Sequence, residues 1–167
     1  MEGLFSTSII KRRASHHVRR KTMTTLEELK SQQNDIREMS RALRNLLTPE
    51  QQAVGTIARI THTLLCDLCE KVSAHLAEEH EGLFPTLLSH GDQQVQNLVW
   101  GFINNDRPLR EAFNHYKRQW LRDCNYEVSP AFLEETQQIL ELLEQRLDLE
   151  DASMIPRLEA AGVFANA

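Results

Sequence analysis

No run in this chain of 167 residues approaches the roughly 20 consecutive apolar residues that a membrane-spanning helix needs. Glycine is scarce, six in all, and forms no clustered loop for cradling phosphate; no serine stands in a nucleophile motif. The apolar/polar alternation of a strand is almost missing. There are three cysteines. Cys66 and Cys69 form CDLC, with Cys124 far away. Two thiolates at i,i+3 lack the two further ligands of a structural zinc site. They also fall inside a helical run rather than between a strand and a helix, the setting of a thioredoxin-like pair, so buried reduced thiols are expected.

An excess of positive charge is missing from most of the chain. Residues 1–26 hold Lys11, Arg12, Arg13, Arg19, Arg20 and Lys21 against Glu2, six minus one, so the overall −5 leaves −10 on residues 27–167. An acidic body argues against nucleic-acid binding by the folded part. LFSTSII followed by KRRASHH puts the apolar stretch before the charges, the reverse of an export signal, and no cleavage site follows. Residues 1–24 are expected to be a flexible basic segment of a cytoplasmic protein, free to meet phosphate or an acidic partner; a peripheral membrane contact is the alternative.

What the chain has in abundance is strong helix formers at helical spacing. With 41% hydrophobic and 26% charged residues it can bury one ordinary core. The first helix is predicted from Thr25 to Leu47, capped by Thr24 or Thr25, with Leu26, Leu29, Gln33, Ile36, Ser40, Leu43 and Leu47 inward. Thr48 and Pro49 open a second helix that runs to Leu88 with a kink at Pro85 and a stripe through Ile57, Leu64, Leu68, Val72, His75, Glu79, Leu83 and Leu87. A third spans 93–122, facing inward with Leu98, Phe102, Asp106, Leu109, Phe113, Tyr116 and Trp120. Ser129 and Pro130 start a fourth, ending near 155, with Phe132, Ile139, Leu143, Arg146, Glu150 and Met154 inward. Residues 157–167 are expected to pack loosely. Short connections between amphipathic helices imply an all-α, antiparallel up-and-down four-helix bundle over 25–159, with 160–167 as a tail.

The bundle reads as two related hairpins, 25–88 and 93–156. HLAEEHEGLFP at 75–85 returns as RLDLEDASMIP at 146–156, pairing His75 with Arg146, Glu79 with Glu150 and Pro85 with Pro156 at an offset of 71; Gln33 pairs with Asp106 at 73. Each helix thus breaks its apolar stripe with a polar residue, and in register these six form one buried layer that must be neutralised, paired or ligated. Carboxylates bridging ions, completed by imidazoles, are one solution, with His75, Glu79, Asp106 and Glu150 as the candidate ligands. Arg146 favours another. A guanidinium has no lone pair to donate and repels a divalent ion, while its fork suits Glu79, Asp106 or Glu150. The favoured reading is a metal-free network of Gln33, His75, Glu79, Asp106, Arg146 and Glu150. His62 near the cysteine pair, His80, His90, His115 and the paired His16 and His17 carry less specific signals.

These same segments resemble a known family. HLAEEHEGLFPTL at 75–87 looks like the second-helix motif of the hemerythrin-like HHE cation-binding domains; LKSQQNDIREM at 29–39, FINNDRPLREAF at 102–113 and LLEQRLDLEDASMIPRLE at 142–159 resemble the other three helices. The resemblance implies a four-helix bundle, commonly with a non-haem di-iron centre used in oxygen binding, iron or redox sensing, or nitrosative-stress responses. By motif, His75, Glu79 and Glu150 match family ligands, whereas Gln33, Asp106 and Arg146 stand where the family carries histidines. LCEKVSAHLAEEH at 68–80 and LEQRLDLEDASMI at 143–155 are also similar to segments of the regulator of sigma D family, helical proteins that bind the primary sigma factor of RNA polymerase. The expected function is a structural or regulatory interaction without catalytic turnover, with no favoured cofactor and with a protein partner or a homo-dimer. The alternatives are a non-haem iron-binding sensor or oxygen carrier, and a regulator binding a sigma factor.

Overall fold

A computed structural model of the chain describes residues 25–89, 92–122 and 128–162; the expected basic segment 1–24 and the last part of the expected tail lie outside the described residues. Helix α1, Leu26–Leu46, begins with a reciprocal cap: the Thr25 hydroxyl accepts from the Glu28 amide, and the Glu28 carboxylate accepts from the Thr25 amide. Thr48 and Pro49 start the short α2, Pro49–Gln52. Then come α3, Gly55–Glu78, and α4, Phe84–Leu88, joined by a π-helical segment at Glu79–Leu83. Asp92 caps α5, Gln93–Tyr116, and Ser129 with Pro130 opens α6, Pro130–Leu149. A second π segment at Lys117–Leu121 follows α5, and a third at Glu150–Met154 leads into α7, Ile155–Ala160. The architecture is all-helical, four main helices in a bundle. No helix among the described residues is long and apolar enough to cross a membrane.

Three features differ from the sequence reading. The second helix is not continuous from Pro49: it breaks at Ala53 and Val54, where Val54 turns extended ahead of Gly55. Gln52 pins this break by donating to the Leu46 carbonyl at 2.7 Å and the Thr61 hydroxyl at 2.8 Å. The break resets the phase of α3, so Ala58, Thr61 and Leu65 are buried while Ile57 and Leu64 are half-covered. In α5, likewise, Val95 and Val99 are buried whereas Leu98 is half-covered, and Trp120 beyond the helix is half-covered as well.

Second, the interruption expected at Pro85 takes the form of a widened turn through which the chain stays helical. A proline ring collides with the carbonyl four residues back, and here the preceding turn is widened instead, the Phe84 amide reaching the Glu79 carbonyl five residues away. The second hairpin repeats the device: the Ile155 amide bonds Glu150, and Pro156 follows. Third, the chain does not loosen at 157. Helix α7 runs to Ala160, and Leu158 is fully buried in an apolar cluster with Leu29, Phe84 and Val99. A second apolar cluster, holding Ile36, Leu68, Phe113 and Leu143, fills the other end of the bundle. The polar positions lie between the two clusters.

Candidate functional site

Each polar side chain reaches the interior by a definable route. His75 and Arg146 sit in the last turns of α3 and α6, and Glu79 and Glu150 open the two matching π segments, four residues on. Asp106 projects from α5 and Gln33 from α1. All six are buried, from 0% exposure at Asp106 and Glu150 to 7% at Arg146.

Arg146 is the hub. Its Nε donates to Glu150, its Nη1 to Asp106, and its Nη2 to Glu79 Oε2 at 2.8 Å. The guanidinium also lies 4.6 Å above the Phe102 ring, which adds a cation–π contact. Gln33 donates to Glu150 Oε2 at 2.6 Å. His75 Nδ1 donates to Gln32 Oε1 at 3.1 Å, and Gln32 in turn donates to Glu78 at 2.8 Å. The other ring nitrogen, Nε2, faces two carboxylate oxygens, Glu150 Oε2 at 3.4 Å and Glu79 Oε1 at 3.7 Å. His80 closes the rim, its Nε2 2.7 Å from Asp106 Oδ2 and its ring edge-on to Phe84.

The charges dictate the protonation. Three carboxyl groups surround one permanent cation, so protons must supply the remaining balance. Burial opposes a charged His75 ring, but the Glu150 hydrogen bond and the nearby Glu79 outweigh it and raise the histidine above its ordinary value. Burial, reinforced by the charge of Glu150, pushes Glu79 up to about 8. Burial acts the same way on Glu150 but is overcome by His75 and Arg146, leaving that carboxyl below its usual range. His75 and Glu79 therefore each hold a proton more tightly in the folded layer. Glu79 Oε1, which has no hydrogen-bond donor, is the loosest point of the layer.

These residues do not fit a two-iron centre. Among the described residues, one group of three histidine, cysteine or acidic side chains offers ligating atoms within 4.8 Å of one another: His75, Glu79 and Glu150. Glu79, Asp106 and Glu150, the acids that would bridge or flank a pair of ions, all turn an oxygen to Arg146. A guanidinium donates no electron pair, and a divalent ion beside it would meet its full charge. The cation site is degenerate.

Sequence reasoning did not single out Gln32 or His80 for the layer. Gln32 is adjacent to the inward Gln33, and His80 follows Glu79 directly, off the i,i+4 face; its place beside Asp106 comes with the π segment that opens at Glu79. Among the described residues, the remaining histidine and cysteine candidates, His62, Cys66, Cys69 and His115, do not join the layer. Cys66 lies 3.7 Å from His62 Nδ1, and burial pushes the Cys69 thiol up to about 12, which makes it unreactive. His115 is exposed, and His16, His17, His90 and Cys124 lie outside the described residues.

A family model described as the hemerythrin HHE cation binding domain matches residues 24–158. No curated protein and no solved structure gives a match.

Proposed function

The chain belongs to the hemerythrin HHE cation-binding domain family, and from that premise we propose that it is a non-catalytic member acting through protein interaction, its interior held by ion pairs in place of a di-iron centre. The observation that carries this reading is Arg146, one guanidinium bound by acids from both hairpins. A fixed internal cation does the neutralising that a metal would otherwise do. It also leaves no site for oxygen chemistry. Glu79, Asp106 and Glu150 are buried and turned to Arg146, so the surface left for recognition is the outside of the bundle.

The alternative, an iron-binding sensor or oxygen carrier, draws its support from the group His75, Glu79 and Glu150, and requires Arg146 to turn away from all three acids. The segments 68–80 and 143–155, similar to sigma D regulators, contain His75, Glu79, Arg146 and Glu150, which face inward; that resemblance concerns the core and names no docking surface. The test is elemental analysis and visible spectroscopy of the full chain produced with added iron. Iron far below one atom per chain, with a melting temperature unmoved by added iron, is the expected outcome. Near-stoichiometric retained iron overturns the reading.

A further inference from the structure

The seams between neighbouring helices are closed differently at their solvent edges. Across α1 and α6, Arg37 pairs with Asp148 and Asp151, and Arg44 with Glu144, each at 2.8 Å. Across α1 and α3, Lys71 pairs with Asp35 at 3.0 Å, and Gln32 bonds Glu78. Between α3 and α5 the cations hold no acid. Arg110 makes no ion pair among the described residues, and Lys117 donates to the Ser73 hydroxyl at 3.3 Å instead of to a carboxylate. Acids are in surplus on residues 27–167, which carry −10, yet neither cation of this seam is neutralised by one.

Both cations line a hollow of about 330 Å³, at the small end of the roughly 300–1,000 Å³ range of ligand pockets. Its floor is apolar, made by the buried Val72, Leu76 and Phe113. On the α5 wall Arg110, Asn114 and Lys117 follow at i, i+4 and i+7, so they share one helix face with the amide between the two charges. At one end stands His80, whose Nε2 lies 2.7 Å from Asp106 Oδ2, with Glu81 beside it. Past Ser73 and Lys117 a second hollow of about 410 Å³ continues toward Cys69 and Leu121. Lys117 also opens the π segment Lys117–Leu121. Unlike the other two, this one has no proline to accommodate, and it carries Lys117 and Leu121 to the α3 side, where both line the second hollow.

We propose that this α3/α5 groove binds a small monocarboxylate with an apolar body, the carboxylate held above Asn114 by Arg110 and Lys117 and the body laid on Leu76 and Phe113. The two long side chains flank Asn114 and reach one anionic group from either side, and the guanidinium fork matches the paired oxygens of a carboxylate. Charge fixes the valence. Two cations against Glu81 leave one positive charge in the groove, which suits a monoanion and falls short of a phosphate dianion. At physiological ionic strength charges beyond roughly 8 Å are largely screened, so these groups rather than the acidic body decide what the groove holds. The apolar floor rewards an organic body that a bare inorganic anion lacks. Such a ligand lies against His80, whose ring is bonded to Asp106 and through it to Arg146, so occupancy is felt at the edge of the buried layer.

The site does not depend on what neutralises the interior, so its test and the iron analysis fail separately. The experiment is calorimetric titration of the full chain with phenylacetate, 2-phenylethanol and phenyl phosphate. Phenylacetate is expected to bind at one site per chain with a Kd of about 1 mM or lower, and about tenfold or more tighter than the uncharged alcohol. Arg110→Gln with Lys117→Gln should weaken it by about tenfold or more. Ala77→Leu, which narrows the hollow and keeps both cations, should do the same, while Arg59→Gln, an exposed site on α3 outside the groove, leaves binding unchanged. Circular dichroism checks that the variants stay folded. As a second readout, the His80 ring signals should move with occupancy in proton NMR. Absence of saturable phenylacetate binding, equal binding of the alcohol, tighter binding of phenyl phosphate, or binding that survives either groove variant overturns the proposal.

Discussion

Glu79 and Glu150, 71 residues apart, each open a π segment and each bond the guanidinium of Arg146, one from either hairpin. In both, the widened turn also accommodates a proline six residues on, Pro85 or Pro156. Sequence symmetry has thus become positional symmetry around an asymmetric centre. Where one hairpin supplies His75, the other supplies the arginine that both acids hold.

Removing that arginine leaves three buried acids facing one another. Arg146→Ala is expected to destabilise the fold by about 3–5 kcal/mol, the usual penalty for breaking a buried ion pair by deleting one partner. The variant should also acquire what the native chain lacks: Zn²⁺ or Mn²⁺ should raise its melting temperature, because Glu79, Asp106, Glu150 and His75 then surround a hollow of negative charge. Thermal unfolding of both proteins with and without each ion measures this. An equal response of both to the metals contradicts it.

The outer arginine of the α1/α6 seam makes a useful contrast. Arg37 binds Asp148 and Asp151, but both acids are more than half exposed. Water competes for every partner, so Arg37→Ala should cost less than about 1 kcal/mol, and high salt should erase much of that difference. Chemical denaturation at low and high ionic strength compares the two arginines directly.

Stability should fall as the solution becomes alkaline. Glu79 binds its proton more tightly when folded, with a pKa of about 8 against an ordinary 4.5, so its contribution is complete below 4.5 and is lost as pH rises toward 8. His75 is also raised, so its contribution is present below 6.5 and disappears as pH climbs through the higher folded value. Glu150 has the opposite sign, favouring the fold above 4.5 and less so in acid. Urea unfolding at intervals of half a pH unit should therefore show a maximum in mild acid and a decline to pH 8 or above. Both groups contribute to that slope, since each binds its proton more tightly in the folded state. A flat profile from pH 5 to 9 would contradict the protonation of the layer.

How much of this was legible in the sequence depends on what each element answers to. The main helices and the polar interruptions of their stripes could be read because each is a local pattern at helical spacing. The break before Gly55 could not, since it is fixed by Gln52 reaching Leu46 and Thr61, contacts that exist only once α1 and α3 pack. Nor could the π segments: prolines signal trouble within a helix but not whether the chain will kink or widen a turn. His80 was hidden for that reason, and Leu158 because two inward residues, Ile155 and Leu158, are too few to declare a helix.

The proton on Glu79 also has a decisive substitution. Glu79→Gln replaces a carboxyl by an amide of almost the same shape, whose oxygen can still accept from Arg146 Nη2 at the place where Glu79 Oε2 does at 2.8 Å. The amide nitrogen would take the position of Oε1, the atom with no donor of its own, and turn an N–H toward the neighbouring His75 Nε2. If the carboxyl is largely protonated near neutrality, this change removes little charge from the layer, so the loss of stability near pH 7 should be small beside that of Arg146→Ala. The pH response is the sharper readout. With no acid left at position 79, the decline between pH 6.5 and 8 should flatten, and the His75 ring, now facing Glu150 as its sole nearby carboxylate on Nε2, should titrate at lower pH by proton NMR. A variant as destabilised as Arg146→Ala, with the alkaline decline intact, would place the proton elsewhere and a full negative charge on Glu79.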